Sequence, residues 1–416
     1  MKKGFYTIMA AQFFSSLADN ALFIACVGFL TLLKAPEWMT PMLKWSFVLS
    51  YVLLGAFVGA FADSFPKGKV MFMTNLIKIG GCATIFFQLH PVLAYGIVGL
   101  GAAAYSPAKY GILTELLPPE QLVAANGWIE GLTISSTIFG VVLGGALSAN
   151  AAVSSFLLSF DFPFINTGVD TPGEAALCVI VGVYCLAALF NLGIADTEVR
   201  YAKQSTRAGQ LIADFWRCSG VLWRDKLGQL SLAVTTLFWG AGTALQYILL
   251  RWGQETLGLG LDKAALLQGV FAFGVAGGAV LAARYVTLRR SLSVLWLGML
   301  MGGVVMLMTV VHTAWLAAPL LIVIGGLAGF FVVPMNALLQ HRGYKLMSAG
   351  HSVAVQNFNE NLSILAVMAL YAMMLRMNIG LNTTILIFGG FVAASMGLIM
   401  LRHAATKPAC NRELNL

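Results

Sequence analysis

Long apolar runs recur along the whole sequence and are separated by Gly, Pro and charged residues. Most runs have the ~20 residues that a helix needs to cross a bilayer, in which backbone polar groups must be satisfied within their own segment. The pattern predicts twelve membrane spans, numbered 1 to 12, at residues 5–33, 45–61, 70–89, 92–116, 122–147, 175–194, 228–251, 265–283, 291–311, 315–340, 353–375 and 383–401.

The composition also indicates an all-α integral membrane protein. Only 10% of the 416 residues are charged and 59% are hydrophobic, whereas soluble proteins carry about 25% charged residues. The basic start runs on into the first apolar segment without a small-residue cleavage site, so we predict a retained helix and not a signal peptide. The net charge of +8 is attributed to basic loops on one membrane face, and no nucleic-acid partner is predicted.

The basic residues also predict the orientation and the domains. Most Lys and Arg residues lie after even-numbered spans and at the two ends, which places both termini in the cytoplasm. We expect a six-helix half (1–194), a cytoplasmic link (195–227), a second six-helix half (228–402) and a cytoplasmic tail (403–416). The segment "LIADFWRCSGVLWRD" in the link places apolar residues on one helical face, which fits an interfacial helix as well as an ordinary tether.

An internal repeat relates the two halves. "GLGAAAYSPAKYGIL" aligns with "GLAGFFVVPMNALLQ", which places Pro107 opposite Pro334. "VAANGWIEGLTI" aligns with "VAVQNFNENLSI", which places Glu130 opposite Glu360. Parallel, pseudo-symmetric six-helix halves are typical of the major facilitator fold, in which the substrate is held near the membrane midplane.

The loop "GAFADSFPKGKV" between spans 2 and 3 resembles the signature loop of that superfamily. Gly59 would allow close helix approach, and Asp63 would cap a helix or form an ion pair. Gly68 completes the glycine pattern, and Lys69 would supply the cation of a cytoplasmic gate. A charged turn without a gating role is the simpler alternative.

Several spans carry polar residues at helical spacing. An ionisable group at mid-bilayer costs roughly 2.5–3.5 kcal/mol, so such residues tend to face a cavity or a partner. Stripes occur in spans 1, 5 and 11: Gln12, Ser15, Ser16, Asp19 and Asn20; Asn126, Glu130, Thr133 and Thr137; Gln356, Asn357, Glu360 and Asn361. We predict that Asp19 acts on the substrate or in gating. For Glu130 and Glu360, binding and helix-to-helix pairing with Lys109, Arg342 or Lys345 fit equally.

The remaining ionisable residues allow fewer conclusions. Lys109 follows Pro107 and could reach a phosphate or carboxylate, whereas Lys78 is expected to snorkel or to pair. Arg251 fits an interface anchor or an anion contact. The sequence has no catalytic constellation, no P-loop and no metal-ligand spacing, so we predict a protein without enzymatic activity, cofactor or metal.

Several stretches resemble the bacterial lysophospholipid transporter family of the major facilitator superfamily: "ADNAL", "GAAAYSPAKYGIL", "LFWGAG", "GFFVVPMNALLQ" and "AVQNFNEN". The resemblance implies movement of lysophosphatidylethanolamine and lysophosphatidylglycerol from the outer to the inner leaflet of the bacterial inner membrane, without ATP. It also implies functional coupling to an acyltransferase/acyl carrier protein synthetase that re-acylates these lipids on the cytoplasmic side. Membrane lipids and the lysophospholipid are then the expected partners.

One departure and two alternatives remain. The family usually has an arginine where this chain has Gln246, and Arg251 could substitute for it. A proton-coupled exporter of amphipathic drugs would use Asp19 or Glu130 as its proton carrier. A membrane acyltransferase or lipid-binding scaffold is disfavoured, because the sequence lacks a catalytic His-Asp pair and has twin halves.

Overall fold

Twelve long apolar helices dominate the computed structural model, which describes residues 3–36, 38–149 and 171–414. They are α1 (Lys3–Leu32), α2 (Met39–Ser64), α3 (Lys67–Phe86), α4 (Pro91–Leu116), α5 (Leu122–Ala149), α6 (Pro172–Leu192), α8 (Lys226–Glu255), α9 (Leu261–Tyr285), α10 (Leu295–Met306), α11 (Ala314–Leu346), α12 (Ala349–Arg376) and α13 (Leu381–Leu414). Short 3₁₀ turns extend α10 to Leu288–Thr309. All twelve are long and apolar enough to span a membrane, which confirms the predicted all-α fold.

The helix ends differ from the predicted bounds for identifiable reasons. Span 2 was expected to begin after Lys44, but α2 begins at Met39 and includes Pro41. A proline in the first helical turn removes an N–H that has no partner there. At the other end of the chain, α13 continues through most of the predicted tail to Leu414, and residues 415 and 416 lie outside the described residues.

The link between the two halves, residues 195–227, contains a further helix, α7 (Ala208–Arg224). Asp225 follows it and caps α8, since its carboxylate accepts the Gly228 N–H at 2.8 Å. The same carboxylate binds the Arg342 guanidinium through two bonds of 2.7 and 2.8 Å. The start of α8 is therefore fixed to the end of α11 by a bidentate ion pair, the strong form of this interaction.

The chain forms two compact units, which divide α5 between them. The first unit comprises Met1–Ile112 and Ser135–Leu211, and the second comprises Leu113–Ile134 and Ile212–Leu416. The predicted domain bounds assigned all of α5 to the first half. In the structure its first half packs with the second unit, as the α5 residue Gly127 shows: a Cβ built there would lie 2.7 Å from the Ala283 Cβ of α9.

The core of the first unit is built around α1 and α6. Leu22 and Cys26 of α1 and Ile180 and Tyr184 of α6 are fully buried in one apolar cluster. The second half of α5 packs against α1 through Gly140, where a Cβ would lie 2.6 Å from the Leu17 carbonyl oxygen. Small residues bring these helices close enough for backbone contact, as is usual in membrane bundles.

The second unit has its own apolar core around α8 and α11. Trp252 of α8 is fully buried, and its indole N–H donates to the Met308 carbonyl oxygen at 2.9 Å. Leu249, Leu321 and Ile324 share this cluster. A buried indole with a satisfied N–H contributes a large apolar surface without an unpaired polar group.

Candidate functional site

Asp19 of α1 lies at the centre of a polar cluster in the first unit. One carboxylate oxygen lies 2.8 Å from Nζ of Lys78 in α3, and the other accepts a 2.6 Å hydrogen bond from the Tyr184 hydroxyl in α6. The Lys78 side chain is only 2% exposed, whereas that of Asp19 is 17% exposed. The carboxylate is therefore the charged group of this pair that a ligand can reach.

Lys78 is enclosed by groups that compensate for its burial. Its ammonium donates to the Ser15 hydroxyl at 3.0 Å, and Ser15 donates to the Asn75 side-chain oxygen at 2.8 Å. The rings of Tyr105 and Tyr184 lie 5.0 and 5.7 Å from Nζ, within the range of a cation–π contact. A buried lysine needs such partners, because an uncompensated charge in the membrane interior is expensive.

The sequence predicted only part of this cluster. The polar stripe of span 1 correctly placed Ser15 on the same face as Asp19, but Asn20 bonds its own helix through the Ser16 carbonyl oxygen. Lys78 pairs and does not snorkel. Tyr184 was missed; a lone phenol in the middle of an otherwise apolar span is the sequence signal that could have indicated it.

A second polar cluster joins α11 and α12 in the second unit. The Gln356 amide donates to Glu360 at 2.8 Å and to the Asn336 side-chain oxygen at 3.0 Å, and all three residues are buried. Asn357 is buried beside them, and its carbonyl oxygen accepts from the Asn361 amide. The structure thus joins two of the predicted residues of span 11, Gln356 and Glu360, and adds Asn336, which the polar stripe did not include.

Lys109 and Glu130 are both buried in the structure. Lys109 lies on α4 after Pro107, and its Nζ lies 4.1 Å from the centroid of the Tyr110 ring. In the internal repeat the position of Lys109 corresponds to Asn336, so the first half carries a cation where the second half carries an amide. The predicted substrate or gating roles of both residues stay predictions.

The first half of α5 is tied to α11 by a pair of amides. Asn126 donates to the Gln340 side-chain oxygen and Gln340 donates to the Asn126 side-chain oxygen, each at 2.9 Å. Both side chains are almost fully buried. Reciprocal amide bonds between helices satisfy two donors and two acceptors at once, which makes this a specific contact in an apolar environment.

The predicted α8 residues occupy different environments. Gln246 is exposed, and its carbonyl oxygen accepts a bond from the Gln268 side chain. Arg251, farther along the helix, pairs with Glu255 at 2.6 Å and donates to the Ile379 carbonyl oxygen at 3.4 Å. Arg251 thus joins the end of α8 to the segment before α13, and its predicted role as an interface anchor or an anion contact stays a prediction. Its substitution for the arginine of the family at position 246 stays a prediction.

Where α2 gives way to α3, Asp63 in the last turn of α2 pairs with Lys67, the first residue of α3, which was not among the predicted residues. The two side chains lie 2.6 Å apart, and the Lys67 ammonium also lies 4.9 Å from the Tyr201 ring of the link. Lys69 is exposed and, two residues later on the helix, is turned by about 200° from Lys67. Its predicted part in a gate stays a prediction.

The two glycines of this loop are both buried. At Gly68 a Cβ would lie 3.1 Å from the Asn191 carbonyl oxygen, so α3 begins close to the end of α6.

In the link that follows α6, a hydrogen bond from Arg200 lowers the pKa of the Asp196 carboxyl to about 2. Among the described residues, no three His, Cys, Asp or Glu side chains are grouped to hold a metal ion.

The sequence comparisons agree with this architecture. Residues 8–368 match the Major Facilitator Superfamily. The chain is 40% identical over 381 residues to the lysophospholipid transporter LplT of Yersinia enterocolitica, which covers 91% of this chain and 89% of the relative. It is also 40% identical over 379 residues to the LplT of Yersinia pestis, with 91% and 88% coverage.

Solved structures share the fold at low sequence identity. The human organic anion transporter MFSD10 superposes with a TM-score of 0.72 at 13% identity, covering 96% of this chain and 100% of that one. The Escherichia coli fucose:proton symporter FucP gives a TM-score of 0.72 at 14% identity, with 96% and 98% coverage. The match of residues 8–368 to the superfamily and the identity to the Yersinia proteins show that this chain belongs to the major facilitator superfamily and, within it, to the LplT family.

Proposed function

We propose that this protein transports lysophospholipids across the bacterial inner membrane by alternating access. The observation that carries the proposal is 40% identity, over 91% of the chain, to a relative named a lysophospholipid transporter. The cargo is lysophosphatidylethanolamine or lysophosphatidylglycerol, moved from the outer to the inner leaflet. The protein is a multi-pass membrane transporter and not an enzyme, as its family indicates.

The polar clusters support this cargo chemically. A lysophospholipid has one acyl chain and a phosphate headgroup, which carries an ammonium in lysophosphatidylethanolamine. We assign Asp19 to the ammonium or to gating, because its carboxylate is the more exposed member of a buried ion pair. Lys109 is assigned to the phosphate as the buried cation on α4. Glu130 and Glu360 are further candidates for headgroup contact or gating.

The location and partners form the finer part of the proposal. The excess of Lys and Arg after even-numbered spans supports cytoplasmic termini. Delivery to the inner leaflet would supply an acyltransferase/acyl carrier protein synthetase on that side of the membrane. The reaction that uses the product must restore the second acyl chain, since a single-chain lipid is the substrate.

Selectivity for single-chain lipids is the first test. In vesicles that contain the protein, we expect uptake of labelled lysophosphatidylethanolamine, and background uptake of a diacyl phosphatidylethanolamine and a cationic dye. The second acyl chain about doubles the apolar volume that one cleft must admit. Protein-free vesicles of the same composition are the control. Equal uptake of the lysolipid and the diacyl lipid, or of neither, would refute the proposal.

A proton-coupled drug exporter is the second candidate, because a buried carboxyl group such as that of Glu130 could carry a proton. We expect lysophospholipid uptake to stay within about twofold of its initial rate after a protonophore collapses the gradient, since a lipid that moves down its own concentration gradient draws no energy from the proton gradient. Uptake is followed in the same vesicles with and without an imposed pH gradient. Strong protonophore sensitivity, combined with dye export, would favour the exporter.

A further inference from the structure

Only part of the apolar face of helix α7 packs against the rest of the protein. At 100° per residue all the large apolar residues of α7 except Val221 fall within an arc of about 140°, from Leu211 to Trp216. Phe215 and Leu222, in the half of that arc nearer Leu211, are buried. The flank of the arc is open, since Ile212 is 41% exposed and Trp216 is 58% exposed.

The other side of α7 is basic. Arg217 and Arg224 lie about 100° around the helix from Trp216 and are exposed. Lys203 and Arg207, in the chain that leads into the helix, are exposed as well. Arg217 pairs with Asp214 at the surface, and an exposed pair of this kind is worth at most about 1 kcal/mol, so a stronger anion can displace it.

The position of α7 matches the boundary between headgroups and acyl chains. Its Phe215 and Trp216 rings lie 5.2 and 5.8 Å from the Phe358 ring of α12. The 28 residues of α12 make a helix of roughly 42 Å, which extends about 6 Å beyond each side of a 30 Å hydrocarbon layer. Phe358 lies about 13 Å from the start of α12, so roughly 7 Å inside that layer. Interfacial helices bury their apolar face about 5–10 Å deep.

We propose that α7 is a helix that binds lipids of the cytoplasmic leaflet, the leaflet on the same side of the membrane as the two termini. The open flank of Ile212 and Trp216 inserts among the acyl chains beside α12, while Arg217 and Arg224 bind anionic headgroups such as phosphatidylglycerol. The occupant is the lipid surface and not a protein, because Trp216 lies beside Phe358 at the depth of the first acyl-chain carbons. Arg217 and Arg224, on the opposite side of α7, then face the phosphate groups of the lipids. This binding site is separate from the cargo site and does not depend on it.

The depth of the flank tests the proposal directly. In a variant without native cysteines, nitroxide labels are attached to Ile212→Cys or to Trp216→Cys. The control is a label on Gln210→Cys, which lies on the same side of α7 as Arg217. The vesicles contain phosphatidylcholine with a quarter phosphatidylglycerol. At each position we measure how strongly oxygen, which concentrates among acyl chains, and an aqueous nickel chelate relax the label. We expect the ratio of oxygen relaxation to nickel relaxation to be at least threefold higher at 212 and 216 than at 210. Water exposure at all three positions would overturn the proposal, as would shielding of 212 and 216 from both reagents, which indicates a protein partner.

The headgroup contact has its own test. In vesicles of phosphatidylcholine alone, we expect the label at 212 to lie closer to water than with phosphatidylglycerol present. The variant Arg217→Gln/Arg224→Gln should lose this dependence, whereas Arg289→Gln/Arg290→Gln, which removes the same charge before α10, should keep it. An equal loss in both double variants would mean that only the net charge matters and would overturn the assignment to α7. None of these readouts requires transport, so their failure is distinct from failure of the proposed function.

Discussion

Replacing Asp19 by Asn is expected to lower both the melting temperature and lysophospholipid uptake. The substitution keeps the size of the side chain but removes the counter-ion of Lys78, which is 2% exposed. Removing one partner of a buried pair typically costs about 3–5 kcal/mol. We expect the variant to fold, with a lower melting temperature, and to transport less than a tenth as fast as the wild type. Asp19→Ala should be similarly inactive.

A double variant separates the loss of stability from the loss of function. In Asp19→Asn/Lys78→Met neither residue carries a charge, so the melting temperature should return towards that of the wild type. Replacing a buried pair by neutral groups is often close to neutral for stability. Uptake should stay low, because the carboxylate proposed to meet the headgroup is still missing.

The matched control retains the ion pair. Tyr184→Phe removes only the 2.6 Å hydrogen bond to the Asp19 carboxylate, at a cost of about 1.5–3 kcal/mol. Its uptake should stay within a few-fold of the wild type. If Asp19→Asn/Lys78→Met regains full uptake, the carboxylate serves only to neutralise Lys78. The assignment of Asp19 to substrate or gating would then be wrong.

The periodicity of the sequence was sufficient for the fold, because crossing a membrane imposes a length and a composition on each helix. All twelve spans were predicted, and the errors lay at their ends. The internal repeat was equally informative, since it compares residues within one chain. Pro107 and Pro334 both lie inside helices, as their alignment predicted.

The partners of the polar residues were not predictable in the same way. Asp19 and Lys78 are separated by 59 positions, and Asp19 and Tyr184 by 165. A helical stripe states which face of one helix is polar, but it does not state which helix faces it. The distant partners depend on how the helices pack, and that packing is set largely by small residues whose effect is hard to see in the sequence.

The contact between α9 and α11 shows this effect of small residues. Gly274 of α9 lies against Gly325 of α11, and Gly278, one turn later, lies against the Gly326 carbonyl group. Gly329 of α11 lies against the Val275 carbonyl group of α9. A Cβ on Gly274 would lie 2.5 Å from the Ile322 carbonyl oxygen. A Cβ on Gly278 would lie closer to the Gly326 carbonyl oxygen than van der Waals contact allows. Such a seam brings two backbones together and exchanges side-chain packing for close backbone contact.

We expect Gly278→Ala to be strongly destabilising although it adds a single methyl group. The obstructing atom is a backbone oxygen, so the two helices must separate along the seam. Overpacking of this kind typically costs about 1–3 kcal/mol, and the combination with Gly329→Ala should cost more than either change alone. The measurement is the melting temperature in detergent, where we expect a fall of several degrees for the single variant.

The chain offers two closely matched controls, Gly277→Ala on α9 and Gly326→Ala on α11. A Cβ on Gly277 would have no neighbour within 4 Å, and one on Gly326 would lie 3.9 Å from the nearest atom. Since alanine is favoured over glycine in a helix by up to about 1 kcal/mol, both controls should be neutral or slightly stabilising. Each control adds the same methyl group to one of these two helices, at a position where it would not strike the other helix. Equal melting temperatures for Gly278→Ala and Gly277→Ala would therefore show that α9 and α11 do not pack through their glycines.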